Sequence, residues 1–344
     1  MKVREVRFQH IRGFGEPRCI PFYDEETGLV RPLSVIVGAN GSGKSTLFQI
    51  IEGLLSYALD LVEDSPITRE LREQGYAALN LEFNDAPSEL ARGLWIALGR
   101  KDRAPSDYST IPNQICCIEQ RGTQGRRFER KGPRDALNHW IGRMVKEEIE
   151  LSDGLILFPH NRWIEHEQRG AIEAPPREKP WLFRFEPASG WKGSLSQLWV
   201  WQNYLDLEAH REDRSNLLPF IEPVEKILGR GRKVVIRSGH VLIMEGSRSV
   251  ELHQLPSGEQ QVLALFGEIV RRLRRHAVIL IDEIEISLHP ALQRAVIAHL
   301  RTLAREYDLQ VLVTTHSMEI VRSVSPHEIV NMDDTVLVEQ RRGS

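Results

Sequence analysis

The sequence predicts an α/β fold with a mixed central sheet, an antiparallel β subdomain and a helical insertion. Three observations carry that reading. A short continuous apolar run, "PLSVIVG", feeds the glycine-rich "GANGSGKST" and then a stretch of helical spacing. From residue 251 onward, helix and strand patterns alternate: 257–275, "AVILIDEI", 290–305 and "LQVLVTTHS". Between these ends the pattern is mixed, with short strands and turn residues first and helices after. The expectation is one unit over 1–344, its core drawn from 1–60 and 251–344. The antiparallel and helical lobe is inserted over 61–250.

In chain order, "VREVRFQHIRGF" alternates apolar and polar residues as a half-buried strand does, with "RCIPF" as its partner. A helix is expected over Thr46 to Leu61. "YAALNLEFND", "GLWIALGR" and "NQICCIEQ" read as successive strands of an antiparallel patch. Residues 134–150 form a helix, and "GLILFPHNRW" is a buried strand leaving into a loop. The Pro-rich "EAPPREKPWLFRFEPASG" reads as a long loop. Helices at 195–210 and 216–228 precede a strand pair, "RKVVIRSGHVLIMEG", turned at Ser238-Gly239. Trp191, Trp199 and Trp201 read as core rather than as stacking platforms.

Composition narrows the class. With 344 residues, 41% hydrophobic and 27% charged, the chain reads as ordinary soluble globular protein. Its 45 Lys+Arg against 48 Asp+Glu exclude a coat of positive charge and leave a local basic patch open. The clusters at Arg121 to Lys131, Gly229 to Arg237 and Arg271 to His276 are where such a patch would lie. The last is equally explained as a solvated helix end, where positive charge offsets the helix dipole. Cys19, Cys116 and Cys117 suit neither a disulfide framework nor a zinc site. No apolar h-region opens the sequence and no apolar run approaches the roughly 20 residues that cross a bilayer. A cytoplasmic protein without membrane contact is expected.

The chemistry concentrates in four places. Gly38 to Ser45 matches G-x-x-x-x-G-K-[ST] between a predicted strand and a helix. Gly38, Asn40, Gly41, Ser42, Gly43, Lys44, Ser45 and Thr46 would cradle the phosphates of ATP on backbone N–H groups, with the helix dipole behind them. Lys44 would reach the β- and γ-phosphates, and the Ser45 hydroxyl would ligate Mg²⁺. In "AVILIDEIEISLHP" four apolar residues end in Asp282-Glu283, at the strand edge where α/β sheets bind ligands. Asp282 is placed to hold the magnesium, and Glu283 to deprotonate a water. "VLVTTHS" ends in His316, which would donate to the terminal phosphate. Finally, Ser257, Gly258 and Glu259 head an amphipathic helix. Ser257 as N-cap with Gln260 as capping-box partner is the structural explanation of that stretch.

In this order the four motifs resemble those of the ATP-binding-cassette ATPases over nearly the whole chain. "DEIEISLHP" and "REVRFQHIRGF" are similar to the soluble branch that includes the RecF, SMC and OLD-type ATPases. The resemblance implies a head-to-tail homodimer in the ATP state. The phosphate loop, Asp282, Glu283 and His316 of one head would then meet Ser257, Gly258 and Glu259 of the other. It further implies nucleotide contact by Arg12, for which a plain surface arginine is the alternative. It also implies a metal-sensing residue after "GLILFP", where His160, Asn161 and Arg162 stand and Asn161 is the candidate. The function expected is ATP hydrolysis coupled to double-stranded DNA or a separate effector protein, in DNA repair, chromosome maintenance or anti-phage defence. The alternative is an ATP-gated scaffold with little turnover.

Overall fold

A computed structural model describes residues 1–61, 65–84, 90, 93–106, 108, 113–122, 125–146, 152–164, 170–176, 180–187, 190–229 and 231–333. Strand β1 (Lys2–Gln9) alternates buried and half-buried side chains, as its sequence dictates. It pairs antiparallel with β2 (Arg18–Pro21) on one side and β4 (Tyr76–Glu82) on the other. Beyond β4 lie β5 (Leu94–Arg100), β6 (Gln114–Gly122) and β7 (Gly125–Lys131), giving the order β2-β1-β4-β5-β6-β7. One expectation for this patch is corrected. β5 and β6 run parallel, because 101–113 is long enough for the crossover that parallel neighbours need.

The second six-stranded sheet is parallel throughout. Its strands are β3 (Leu33–Val37), β8 (Leu155–Phe158), β9 (Leu182–Arg184), β13 (Val278–Ile281), β14 (Gln310–Thr314) and β15 (Ile329–Asn331), in the order β15-β3-β14-β13-β8-β9. Parallel and antiparallel pairing are both present, as expected: this sheet holds no antiparallel pair, and the first is antiparallel except between β5 and β6. The stretch 61–250 is not one separate insert, since β8 and β9 come from within it. β8 is "LILF", buried at every position, and such a strand is stable only inside a covered sheet. A hairpin and a third strand, β10 (Lys233–Arg237), β11 (His240–Glu245) and β12 (Arg248–Glu251), form a small antiparallel sheet.

The strands of the parallel sheet split their side chains by the two-residue period between two cores. Val278, Leu280 and Leu312 join α1 (Lys44–Ala58) and the inner face of the antiparallel sheet. Ile279, Ile281, Val311 and Val313 join α4 (Leu195–Glu208), α5 (Leu218–Leu228), α6 (Ser257–Arg272) and α7 (Pro290–Glu306). Helices α2 (Pro66–Gln74), capped by the Ser65 hydroxyl on the Thr68 N–H, α3 (Arg134–Lys146) and α8 (Met318–Arg322) complete the set. Residues 147–150 of the predicted 134–150 helix lie outside the described residues. Trp199 is fully buried, Trp191 packs against the same core, and Trp201 stacks on Tyr204.

Candidate active site

The sheet order builds the site. β14 lies between β3 and β13, and all three run parallel, so their C-terminal ends emerge side by side. The phosphate-loop motif follows β3, Asp282 and Glu283 follow β13, and His316 follows β14. Arg12, Gly13, Phe14, Asn40, Gly41, Gly43, Lys44, Ser45, Thr46, Glu283 and His316 line one cleft of about 690 Å³.

The loop's backbone explains its composition. Gly41 and Gly43 sit at φ +81° and +84°, in the left-handed region that a Cβ disfavours. Gly43 is also the N-cap of α1, and a Cβ there would fall 2.0 Å from the Phe14 ring. Lys44 Nζ donates to the carbonyls of Gly38 at 2.9 Å and Ala39 at 3.0 Å, and to Ser42 Oγ at 3.4 Å. Burial pulls the Lys44 ammonium below its ordinary pKa, against the opposing charges of Asp333, Glu283, Asp282 and Glu285. Arg12, itself at φ +51°, donates from Nη1 to Thr46 Oγ1 at 3.0 Å, and its backbone N–H donates to Glu70. Asp333 accepts the Ala39 N–H at 3.0 Å; its neighbour Asp334 lies outside the described residues.

Thr314, fully buried, organises the acidic pair. Its Oγ1 donates to Asp282 Oδ1 at 2.6 Å and accepts the Glu283 N–H at 2.7 Å. Glu283 sits at φ +46°, a strained position for a residue that is not glycine. Glu285 takes the His316 backbone N–H on Oε1 at 2.5 Å, tying the acidic turn to the loop after β14. Sequence reasoning singled out neither Thr314 nor Arg162. Arg162 is 1% exposed, and its guanidinium holds the carbonyls of Pro159, Asp282 and Glu283. Burial brings its pKa down to about 10 despite Asp282, Glu285 and Glu283 nearby, so it stays charged at neutral pH. Asn161, its neighbour, is exposed and is not among the residues lining the cleft.

The head of α6 departs from the capping-box expectation. Pro256 occupies the N-cap position, so the helix starts at Ser257 without a side-chain cap. Gln260 instead donates to the carbonyls of His253 and Leu255, both at 2.8 Å. Ser257 is exposed and stands outside the cleft. Gly258 is buried against the Ser287 carbonyl, where a Cβ would come within 2.5 Å. Glu259 is turned inward, paired with Arg232 at 2.5 Å, and Arg232 also reaches Glu245. That pairing turns Arg232 away from the surface, whereas Lys233 pairs with Glu225 but stays exposed.

In the 271–276 cluster Arg275 is exposed, but the other three arginines are not a solvated helix end. Arg271 donates to the Gly193 carbonyl, Arg272 pairs with Glu268 and lies on the Phe183 ring, and Arg274 donates to the Pro180 carbonyl. Side chains of 121–131 lie outside the described set.

A phosphate loop, an acid pair and a histidine at adjacent ends of a parallel sheet define a P-loop ATPase domain of ABC type. Comparison with known families agrees, matching residues 33–322 to the family described as "AAA domain, putative AbiEii toxin, Type IV TA system". The chain belongs to that family. It is 30% identical over 100 residues to the retron Ec83 probable ATPase of Escherichia coli, covering 26% of this chain and 18% of that one. To the retron Vc95 probable ATPase of Vibrio cholerae it is 26% identical over 98 residues, covering 25% and 19%. The matches thus span under a fifth of each of these relatives. Among solved structures, an SMC head bound to the C-terminal winged-helix domain of ScpA superposes with TM-score 0.51 at 13% identity, covering 96% of both chains. An SMC head from Pyrococcus furiosus gives 0.50 at 12% identity, covering 96% of this chain and 95% of that one. These likenesses bear on the fold. No helix among the described residues is long and apolar enough to cross a membrane.

Proposed function

We propose that this chain hydrolyses ATP in a site completed by a second copy of itself, bound head to tail. The supporting observation is the cleft: Lys44, Ser45, Glu283 and His316 converge on it, while Ser257 is exposed outside it. A helix N-terminus with a free hydroxyl suits a terminal phosphate held by another subunit. Within one cleft, Lys44 exchanges its loop carbonyls for phosphate oxygens. Ser45 and Asp282 offer the oxygen donors that a hard cation such as Mg²⁺ takes, and bound Mg²⁺ neutralises phosphate charge. Glu283 accepts the proton of the attacking water as its oxygen bonds the terminal phosphorus and the bond to the ADP oxygen breaks. His316 steadies the phosphate being transferred.

The retron setting of two relatives favours defence over repair or chromosome maintenance. Glu283→Gln on a sizing column, with and without ATP, tests the reading. Loss of hydrolysis with an accumulating ATP-dependent dimer is expected. A protein that stays monomeric with ATP at high concentration overturns the shared site.

A further inference from the structure

We infer that Arg162 is a positioning residue that couples the head of α6 to Glu283, so that occupancy at Ser257 sets the geometry of the base. The inference rests on the shared-site reading above. Four acceptors from three elements converge on this one guanidinium. Nη1 donates to the carbonyls of Pro159 and Asp282, each at 2.6 Å, and Nη2 to that of Glu283 at 3.0 Å. Nε donates to Gln261 Oε1 on α6 at 3.2 Å. Pro159 follows β8, Asp282 and Glu283 follow β13, and Gln261 belongs to the helix whose first residue is Ser257.

Two features make this a coupling rather than a filler. Ser257 and Gln261 are four residues apart, hence on one face of α6, so displacement at the first carries to the second. At the other end, Glu283 holds a left-handed backbone at φ +46°, a conformation that persists only where its surroundings impose it. Arg162 fixes its carbonyl while Thr314 fixes its N–H. A planar fork with five donors can serve four divergent acceptors at once, which a lysine ammonium cannot. Buried at 1% exposure, the fork has no water to exchange with, so a change at Gln261 is passed to the remaining three bonds.

The test compares wild type, Arg162→Lys, Gln261→Ala and the double variant, each first shown to melt cooperatively. Gln261→Ala leaves the three carbonyl bonds intact and guards against simple misfolding in Arg162→Lys. Fluorescent ATP should bind all four within about twofold, while kcat falls about tenfold or more in each single variant. The double variant should be no slower than Arg162→Lys, as residues acting in one chain are not additive. In a Glu283→Ala background, single-turnover hydrolysis should be indifferent to Arg162→Lys, since the arginine acts through that glutamate. Losses that multiply, or a kcat for Gln261→Ala within twofold of wild type, overturn the coupling. If Glu283→Gln never dimerises with ATP, the partner's half of the inference falls. The Arg162–Glu283 link is still decided by the Glu283→Ala background.

Discussion

Replacing Gly43 with alanine tests the phosphate loop at its tightest point. The residue's φ of +84° is one that an L side chain enters at a cost of about 1–2 kcal/mol. The new Cβ would also stand 2.0 Å from Phe14 Cζ and 2.3 Å from Cε2. Moving the ring disturbs its packing: it meets Phe8 edge-on, 5.0 Å between centroids at 79°, and Arg18 stands over it at 5.9 Å. Overpacking of this kind adds about 1–3 kcal/mol, so Gly43→Ala should destabilise by about 2–5 kcal/mol in total. Phe14→Ala in the same chain removes the clash and leaves the backbone cost. A double-mutant cycle in urea, read at constant m-value, should therefore return a coupling of about 1–3 kcal/mol. ATP affinity should fall in Gly43→Ala and recover in part in the double variant, since Phe14 and Gly43 line the same cleft. A loss below about 1 kcal/mol, or strict additivity with Phe14→Ala, would refute the packing account.

Two further outcomes follow from the same geometry. Thr314→Val keeps the shape but leaves the Glu283 N–H and one Asp282 oxygen unmatched, at about 1–3 kcal/mol for each buried group. Chemical denaturation should register that loss and Thr314→Ser should recover most of it; a neutral valine variant would sink the reading. Asp308 supplies the pH dependence. Partial burial works to raise its pKa, but hydrogen bonds and charge from Lys2 and His276 outweigh it and hold the carboxyl below its usual range. A depressed folded pKa means its contribution is present above about pH 4, the unfolded value, and is lost as pH falls through the folded one. Because its side chain is 53% exposed, the contribution is at most about 1 kcal/mol. Asp308→Asn should lower stability at pH 6 by that small amount and converge with wild type near pH 2; an unchanged gap at both would contradict it.

What was legible in the sequence was local. The run Leu33–Val37, the glycine loop and the helix after it announce themselves because burial, positive φ and helical period are written in adjacent residues. Val278–Ile281 with Asp282, and Gln310–Thr314 with His316, are legible for the same reason. The sheet order was not, since strands buried on both faces carry no mark of their neighbours. Hence the sequence places β8 in an insert although it pairs with β13. β9 and β15, three residues each, are too short for any period to appear. The expectation after β8 favours Asn161, an amide that can stand in for a metal-sensing side chain, whereas the structure buries its neighbour Arg162. Its one signal was position, directly after an apolar strand that ends at the edge where the other site residues emerge. The sequence carries no sign that Glu259 turns inward, because its partner, Arg232, is remote in sequence and inside a cluster that reads as a basic patch.

The head of α6 gathers these misreadings into one arrangement. Gly258 lets the helix approach the Ser287 carbonyl in the turn that carries Glu283 and Glu285. Glu259 ties it to Arg232 and so to β11 through Glu245. Gln260 closes on the loop that enters the helix, and Gln261 on Arg162. Each of the four residues after Ser257 is thus spent on the head's own structure, and with Pro256 as the cap, the Ser257 hydroxyl is not needed to start the helix. A helix end serving only its own fold would use that hydroxyl as its cap, which stabilises by about 1 kcal/mol. Forgoing the cap leaves a hydroxyl and a helix dipole facing outward on a rigid mount. Such a surface is what the proposed shared site requires of this helix end.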